Sequence, residues 1–315
     1  MAPGSKESGA FFMVASKSSS GVQAGSGIQP GSSIQGVAFG LAGFGVFPIH
    51  DALVKLLVRD ISVWQIMFVR SSVILLLVTA LNGVAPFPRA FRSPVRMLLG
   101  ARSLIIVAAW ALYYSAARYL ALGELVTIYF GSPILVAFMA GPVLRERVTA
   151  GRWLAVAMGF VGVLIACRPG LGASGPIFLA LGAAGLWSVS TILIRLTKLA
   201  EPTSVNMVMT NLGFFCLAGM MLPWVWKTPS PADCLLLISV SLAGALSQFL
   251  VFEALRRASA STIAPLEFTS LAWAFLIQYL VWGSPPDAFV LAGALLIGSS
   301  GLIIISIEWR AASRS

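Results

Sequence analysis

The sequence predicts an all-α integral membrane protein, and three observations carry that expectation. Of the 315 residues, 58% are hydrophobic and only 10% charged, with a mean hydropathy of +0.92, whereas a soluble domain carries about 25% charged residues. Apolar runs of about 20 residues, long enough to cross a hydrocarbon core of about 30 Å, recur along nearly the whole chain. Basic residues gather in alternate connections between these runs, the bias that orients a polytopic protein.

Residues 1–33, rich in Gly and Ser and broken by Pro3 and Pro30, lack the apolar content to bury anything and are expected to form a disordered cytoplasmic tail. The run GAFFMVAS within it is too short, and lacks the basic cluster in front, for a cleaved signal peptide. Ten spans follow, at 34–58, 62–84, 97–117, 121–142, 150–168, 174–196, 204–226, 234–255, 260–282 and 287–307, and residues 311–315 form a second cytoplasmic tail. With the N-terminus inside, Arg89, Arg92, Arg96, Arg145, Arg147, Arg152 and Lys198 join most of the 21 basic residues on the cytoplasmic side. The net charge of +10 is then topological, no nucleic-acid partner is implied, and the protein is expected to cross the cell (inner or plasma) membrane many times with both termini inside. Trp153, Trp224, Trp226, Trp282 and Trp309 lie near span ends, where amphipathic rings favour the interface. Cys167, Cys216 and Cys234 are far apart and odd in number, which writes neither a disulfide framework nor a metal site, so they read as small apolar fillers.

An internal repeat is visible. AARYLALGELVTIYFGSPILVAFMAGPVL, from Ala116, aligns with ALRRASASTIAPLEFTSLAWAFLIQYLVW, from Ala254, pairing Arg118 with Arg256, Phe130 with Phe268 and Ser132 with Ser270. One residue of shift later, GFVGVLI at 159 meets GSSGLII at 298, and glycines three apart on one face of each helix favour close packing. Two five-helix repeats, 34–170 and 171–310, follow. Because five is odd, the second half enters the membrane from the opposite side, giving an inverted repeat with a substrate site expected near the midplane.

LGELVTIYFGSPILVAFMAGPVLRERVTAGRWLAVAMGFVGVLIACRPG, residues 122–170, resembles the fourth and fifth helices of the drug/metabolite transporter superfamily, EamA type. APLEFTSLAWAFLIQYLVWGSPPDAFVLAGALLIGSSGLIII, residues 264–305, resembles the matching pair of the second half. HDALVKLL, followed by WQIMFVR, is similar to the first two helices of a subgroup that includes S-adenosylmethionine carriers. The resemblance covers roughly residues 36–310, and its specificity lies in the order of the motifs. It implies a ten-helix carrier of small metabolites, with amino acids and their derivatives, purines or nucleosides, S-adenosylmethionine or foreign compounds as substrate classes. Two positions depart from the pattern: Ser284 stands where the second Leu-Gly-Glu turn has its acid, and Glu267 where an aromatic follows Ala-Pro-Leu.

Charges inside spans mark candidate sites, since each costs about 2.5–3.5 kcal/mol at the helix centre unless it meets protein or water. In FPIHDALVKLL, residues 47–57, Asp51 and Lys55 share a helix face at spacing four, and Pro48 frees the carbonyl of Phe44. Arg70 lies at a similar depth, roughly 10 Å, in the antiparallel second span. An Asp51, Lys55, Arg70 cluster reads either as a recognition or gating site, or as a permanent ion pair pinning the first span to the second. His50, the single histidine, is a candidate proton carrier because its unperturbed pKa is about 6.5; a hydrogen-bonded structural role is the alternative.

Trp110, Tyr114, Tyr129, Ser132, Trp187, Thr191, Asn206, Asn211 and Gln248 could line a central cavity suited to a partly apolar metabolite; each could equally fill space or tie helices together. Glu267 has no obvious basic partner within the spans and is a candidate for coupling to protons or for receiving a cationic substrate, whereas Glu253 reads as the surface partner of Arg256 and Arg257.

The leading function is a secondary transporter, permease or exporter, for a small organic compound, with proton or exchange coupling and monomer or homodimer left open. A polytopic intramembrane enzyme is disfavoured by one histidine and no paired intramembrane carboxylates, and a channel or receptor by the lack of a filter-like repeat. No GxxxxGK[ST] motif implies a nucleotide, and neither a cofactor nor a metal is expected. Its partners are membrane lipid and the metabolite.

Overall fold

The computed structural model describes residues 30–132, 135, 136, 139, 150–167, 175–196, 201–257 and 266–312. The described residues form α-helices joined by turns. In chain order these are α1 (Pro30–Leu57), α2 (Val63–Asn82), α3 (Pro86–Arg92), α4 (Arg96–Ala117), α5 (Leu122–Tyr129), α6 (Ala150–Cys167), α7 (Gly175–Leu196), α8 (Thr203–Val225), α9 (Pro231–Arg257), α10 (Thr269–Trp282) and α11 (Ala288–Ala312).

Six described helices are long and apolar enough to cross a membrane, over Ile34–Leu57, Val63–Asn82, Arg96–Ala117, Gly175–Leu193, Thr203–Val225 and Pro231–Val251; shorter apolar helices cover Ala157–Ala166, Thr269–Trp282 and Ala288–Ser300. Large apolar side chains such as Leu76, Phe178, Met220 and Leu295 point outward and stay exposed, as expected where lipid is the solvent.

Several boundaries differ from expectation. The first helix begins at Pro30, inside the stretch expected to be tail, because proline at the first helical position lacks only an amide hydrogen that would have had no partner there. The remainder of that tail, the 313–315 end, and the expected cytoplasmic Arg145, Arg147 and Lys198 lie outside the described residues. Over the expected span 121–142, α5 stops at Tyr129, and the Gly131 amide turns back to the Ile128 carbonyl at 3.0 Å. Pro133 has no amide hydrogen to offer the Tyr129 carbonyl four residues earlier. Phe268, aligned with Phe130, stands at the N-terminal cap of α10. The two phenylalanines touch, their ring centroids 5.6 Å apart.

Helix pairing follows a regular scheme. α1 packs on α9 and α4 on α7; α1 packs on α10 and α5 on α7; α4 packs on α8 and α2 on α9. The pairs α2 with α8, α5 with α10 and α6 with α11 complete the bundle. At the α6–α11 crossing the closest approach joins Gly162 to Gly293. A Cβ on Gly293 would stand 2.6 Å from the Gly162 carbonyl oxygen and 2.8 Å from the Ala166 Cβ. Of the glycines expected to allow close packing, Gly162 lies at this crossing, whereas Gly298 faces open space.

One end of the bundle is laced by polar ties. Gln65 donates to the Lys227 carbonyl at 2.8 Å and accepts from its amide at 3.1 Å. The Gly123 amide donates to Gln278 Oε1 at 2.7 Å, Arg118 Nε to the Val58 carbonyl at 2.6 Å, and Lys227 Nζ to the Asp60 carbonyl at 3.0 Å. Near the other end, Arg89 pairs with Glu201 at 3.0 Å and Arg257 with Glu253 at 2.9 Å. The latter matches the surface role expected of Glu253. Cys216 and Cys234 are free and exposed instead of filling the core, because each sits on the outward side of its helix; the Cys167 side chain lies outside the described residues.

Candidate functional site

The centre of the site is His50 and Asp51 on α1. Tyr113 of α4 donates its hydroxyl to Asp51 Oδ2 at 2.8 Å, and His50 Nδ1 stands 3.1 Å from Asp51 Oδ1. A carboxylate can only accept, so Nδ1 carries the ring proton. Nε2 is then the acceptor facing the Tyr114 hydroxyl at 3.3 Å. His50 and Tyr114 are fully buried, while the Asp51 side chain keeps 12% of its surface accessible. One turn before the pair, Pro48 leaves the Phe44 carbonyl without its intrahelical donor. Ser270 Oγ of α10 supplies the bond at 2.8 Å; α1 runs unbroken through Pro48, and the carbonyl the proline frees becomes a docking point between the two parts of the chain.

A wall of rings surrounds the Asp51 and His50 pair. Trp110 makes edge contacts with His50 at 5.6 Å, Tyr114 at 5.2 Å and Trp187 at 6.5 Å. Tyr129 closes the ring through Tyr113 at 5.1 Å and Trp187 at 5.8 Å. Trp110, Tyr129 and Trp187 are half-buried. Arg70, from α2, lies with its guanidinium carbon 4.8 Å from the Trp110 centroid and 5.8 Å from that of Phe214, the geometry of a cation on an aromatic face. Seven residues singled out in the sequence therefore meet: His50, Asp51, Arg70, Trp110, Tyr114, Tyr129 and Trp187.

The expected cluster of Asp51, Lys55 and Arg70 does not form as drawn. Lys55 donates to the Ala117 carbonyl at 3.0 Å and also to the Leu120 carbonyl, with the Trp282 ring 5.8 Å away. The carbonyls ending α4 carry partial negative charge and lie within reach of a four-carbon stem. Equal helix face did not make Asp51 the partner, and Arg70 likewise makes no ion pair among the described residues.

Other candidates sit apart. Thr191 bonds the Trp187 carbonyl one turn back at 3.0 Å. Asn206 caps local carbonyls of Glu201 and Pro202 at 3.1 and 3.3 Å. Asn211 donates to the Met207 carbonyl at 2.9 Å, its Oδ1 buried without a partner, as is Gln248 Oε1. Ser132 is buried and its carbonyl accepts from Ser188 at 3.0 Å. Glu267 is half-buried, within electrostatic reach of Tyr129, and makes no hydrogen bond or ion pair among the described residues.

Tyr113, Phe214 and Gly244 were missed. Tyr113 had a signal, since it stands three residues after Trp110 and so shares its helix face. Phe214 and Gly244 had none, because their role depends on helices distant in sequence.

Known proteins resemble the chain throughout this region. The model of the EamA-like transporter family matches residues 34–168 and again 174–306. A riboflavin transporter of Rhizobium johnstonii is 28% identical over 59% of the chain and 63% of its own length. An S-adenosylmethionine uptake transporter of Rickettsia felis is 25% identical over 59% and 64%, so the chain spans just under two thirds of these two relatives. Another S-adenosylmethionine uptake transporter, of Rickettsia prowazekii, is 21% identical over 89% of the chain and 95% of its length. A solved crystal structure superposes with a TM-score of 0.61 at 13% identity, covering 89% of this chain and 98% of the other, a likeness of fold.

Proposed function

Since the chain belongs to the EamA-like transporter family, we propose that it is a secondary carrier that moves a small organic metabolite across the cell membrane by alternating access. The observation that carries the reading is the placement of Asp51, His50 and Arg70 behind a wall of aromatic rings, deep in a bundle whose outer surface is apolar. Intramembrane polar groups at this depth face a substrate path or one another, and half-buried rings beside them suit a ligand with a flat apolar part. Riboflavin and S-adenosylmethionine, the compounds in the names of the relatives, each contain a flat ring system.

The architecture proposed is ten spans in two inverted five-helix repeats, 34–170 and 171–310, with cytoplasmic termini. Three observations support it: the family model fits twice, the helix pairs come in equivalent sets, and the aligned residues Phe130 and Phe268 touch. A two-fold axis requires that equivalent residues on it meet. Rocking of one half against the other must then open the laced end by breaking the ties that cross between halves there, Gln65 with Lys227, Lys227 with Asp60 and Gly123 with Gln278. Lys55, bonded within the first half, would travel with it. Glu267 and His50 are the groups proposed for coupling, and the functional unit is a monomer or homodimer.

A thermal-shift screen of purified protein tests this, with riboflavin, S-adenosylmethionine, amino acids, nucleosides and amphiphilic cations as probes. A ligand that binds only the folded state raises its stability by about 2.7 kcal/mol at a hundred times its Kd. The expected result is a stabilising probe whose effect falls in Trp187→Ala; hits indifferent to every residue of the ring wall contradict the site.

A further inference from the structure

Arg70 is 4% exposed, and its Nε is buried without a hydrogen-bond partner among the described residues. Around it stand His50 of α1, bonded to Asp51, Trp110 and Tyr114 of α4, Phe214 of α8 and Gly244 of α9. Asp51 is the acid of the cluster, yet it is satisfied by Tyr113 and His50 and makes no ion pair with Arg70. Tyr114 gives its hydroxyl to His50. Arg102, also buried, has an unpartnered Nε as well but donates Nη1 to Thr210 at 3.1 Å, a bond for which Arg70 has no counterpart among the described residues. Among the described residues Arg70 makes no hydrogen bond; the ring faces attract a cation but offer no acceptor to its directed donors.

The backbone has been cleared for this side chain. A Cβ on Gly244 would stand 2.7 Å from Arg70 Nε and 3.1 Å from the His50 ring, so a larger residue at this place on α9 would push the guanidinium from its position. A charge inside a membrane bundle is retained where it has a use, and a guanidinium fork with free donors matches a carboxylate or phosphate in two-point geometry.

We propose that Arg70 is the anion-binding group of the central site and that the transported compound carries a carboxylate or phosphate next to a flat ring that packs against Trp110. The proposal rests on the carrier reading and narrows its substrate class. Arg70 provides the positive charge, Trp110 fixes its plane, and Gly244 sets its distance from α9.

The test compares probe pairs that differ only in the acid: tryptophan with tryptophanamide, nicotinate with nicotinamide, and riboflavin 5′-phosphate with riboflavin. Binding to the full-length protein in detergent is followed by thermal shift and by Trp fluorescence. The expected result is at least a tenfold preference for an acid over its neutral partner, lost in Arg70→Gln, partly kept in Arg70→Lys and weakened in Gly244→Ala. The preference in the wild-type protein is decisive even if a variant fails to fold. Equal binding of both partners of every pair, or a preference that survives Arg70→Gln, overturns the assignment and leaves the carrier reading standing. Binding of no probe by the folded protein, in either arm, overturns both. Phosphate favoured over carboxylate, or the reverse, identifies the source of the anion.

Discussion

Tyr113 decides how a charged aspartate is tolerated within the bundle. Its hydroxyl satisfies Asp51 at 2.8 Å, so Tyr113→Phe should leave the carboxylate short of a donor and cost about 1.5–3 kcal/mol, read as a lowered unfolding midpoint in detergent. Ser270→Ala removes the bond to the freed Phe44 carbonyl and is expected to cost about 1 kcal/mol by the same measurement. Glu267 makes no bond among the described residues, so Glu267→Gln should impair transport more than folding, whereas Asp51→Asn should impair both; equal loss of folded protein in the two would remove the distinction. The residue types of this site were legible because charge and proline inside an apolar run are costly and stand out. Their partners were not. Spacing placed Asp51 and Lys55 on one face, but the choice of the Ala117 carbonyl over Asp51 depends on where α4 ends in space.

Among the elements, helix existence could be read from apolar run length, and helix pairing could not. The sequence suggested only that glycines on these helices favour close packing; the approach of α6 to α11 through Gly162 and Gly293 emerges in the fold. Its register was hidden, because several glycines in each helix offer the same small surface and only the crossing point selects Gly162 and Gly293. Gly293→Leu is predicted to overpack that crossing and destabilise by about 1–3 kcal/mol or more, while Gly298→Ala, facing open space, should change stability by less than about 0.5 kcal/mol. Unfolding midpoints of the pair measured side by side test this crossing point. The breaks after Tyr129 and before Thr269 were partly legible in Pro133; that they meet through Phe130 and Phe268 required the fold.

At the scale of the whole molecule, the proposed cycle makes the central site accessible from each side of the membrane in turn. Removing a tie between halves should shift the balance: Gln65→Ala or Gln278→Ala is expected to raise the population open at the laced end, by up to about tenfold for each bond of about 1 kcal/mol or a little more. Alkylation of a cysteine at the Gly123 end reports that change. The repeat could be seen in the sequence as few identities; that α1, α2, α4 and α5 meet α7, α8 and α9 emerges only in the fold, and it is what the proposed sharing of one site by two halves rests on. The most direct measurement places a cysteine at Trp187, with Cys167, Cys216 and Cys234 replaced by serine, in vesicles of known sidedness treated with a membrane-impermeant thiol reagent. Modification from both sides, with a cross-link between residues 65 and 227 blocking reaction from that end alone, is the predicted result. Modification from one side only, whatever the cross-link, would contradict alternating access.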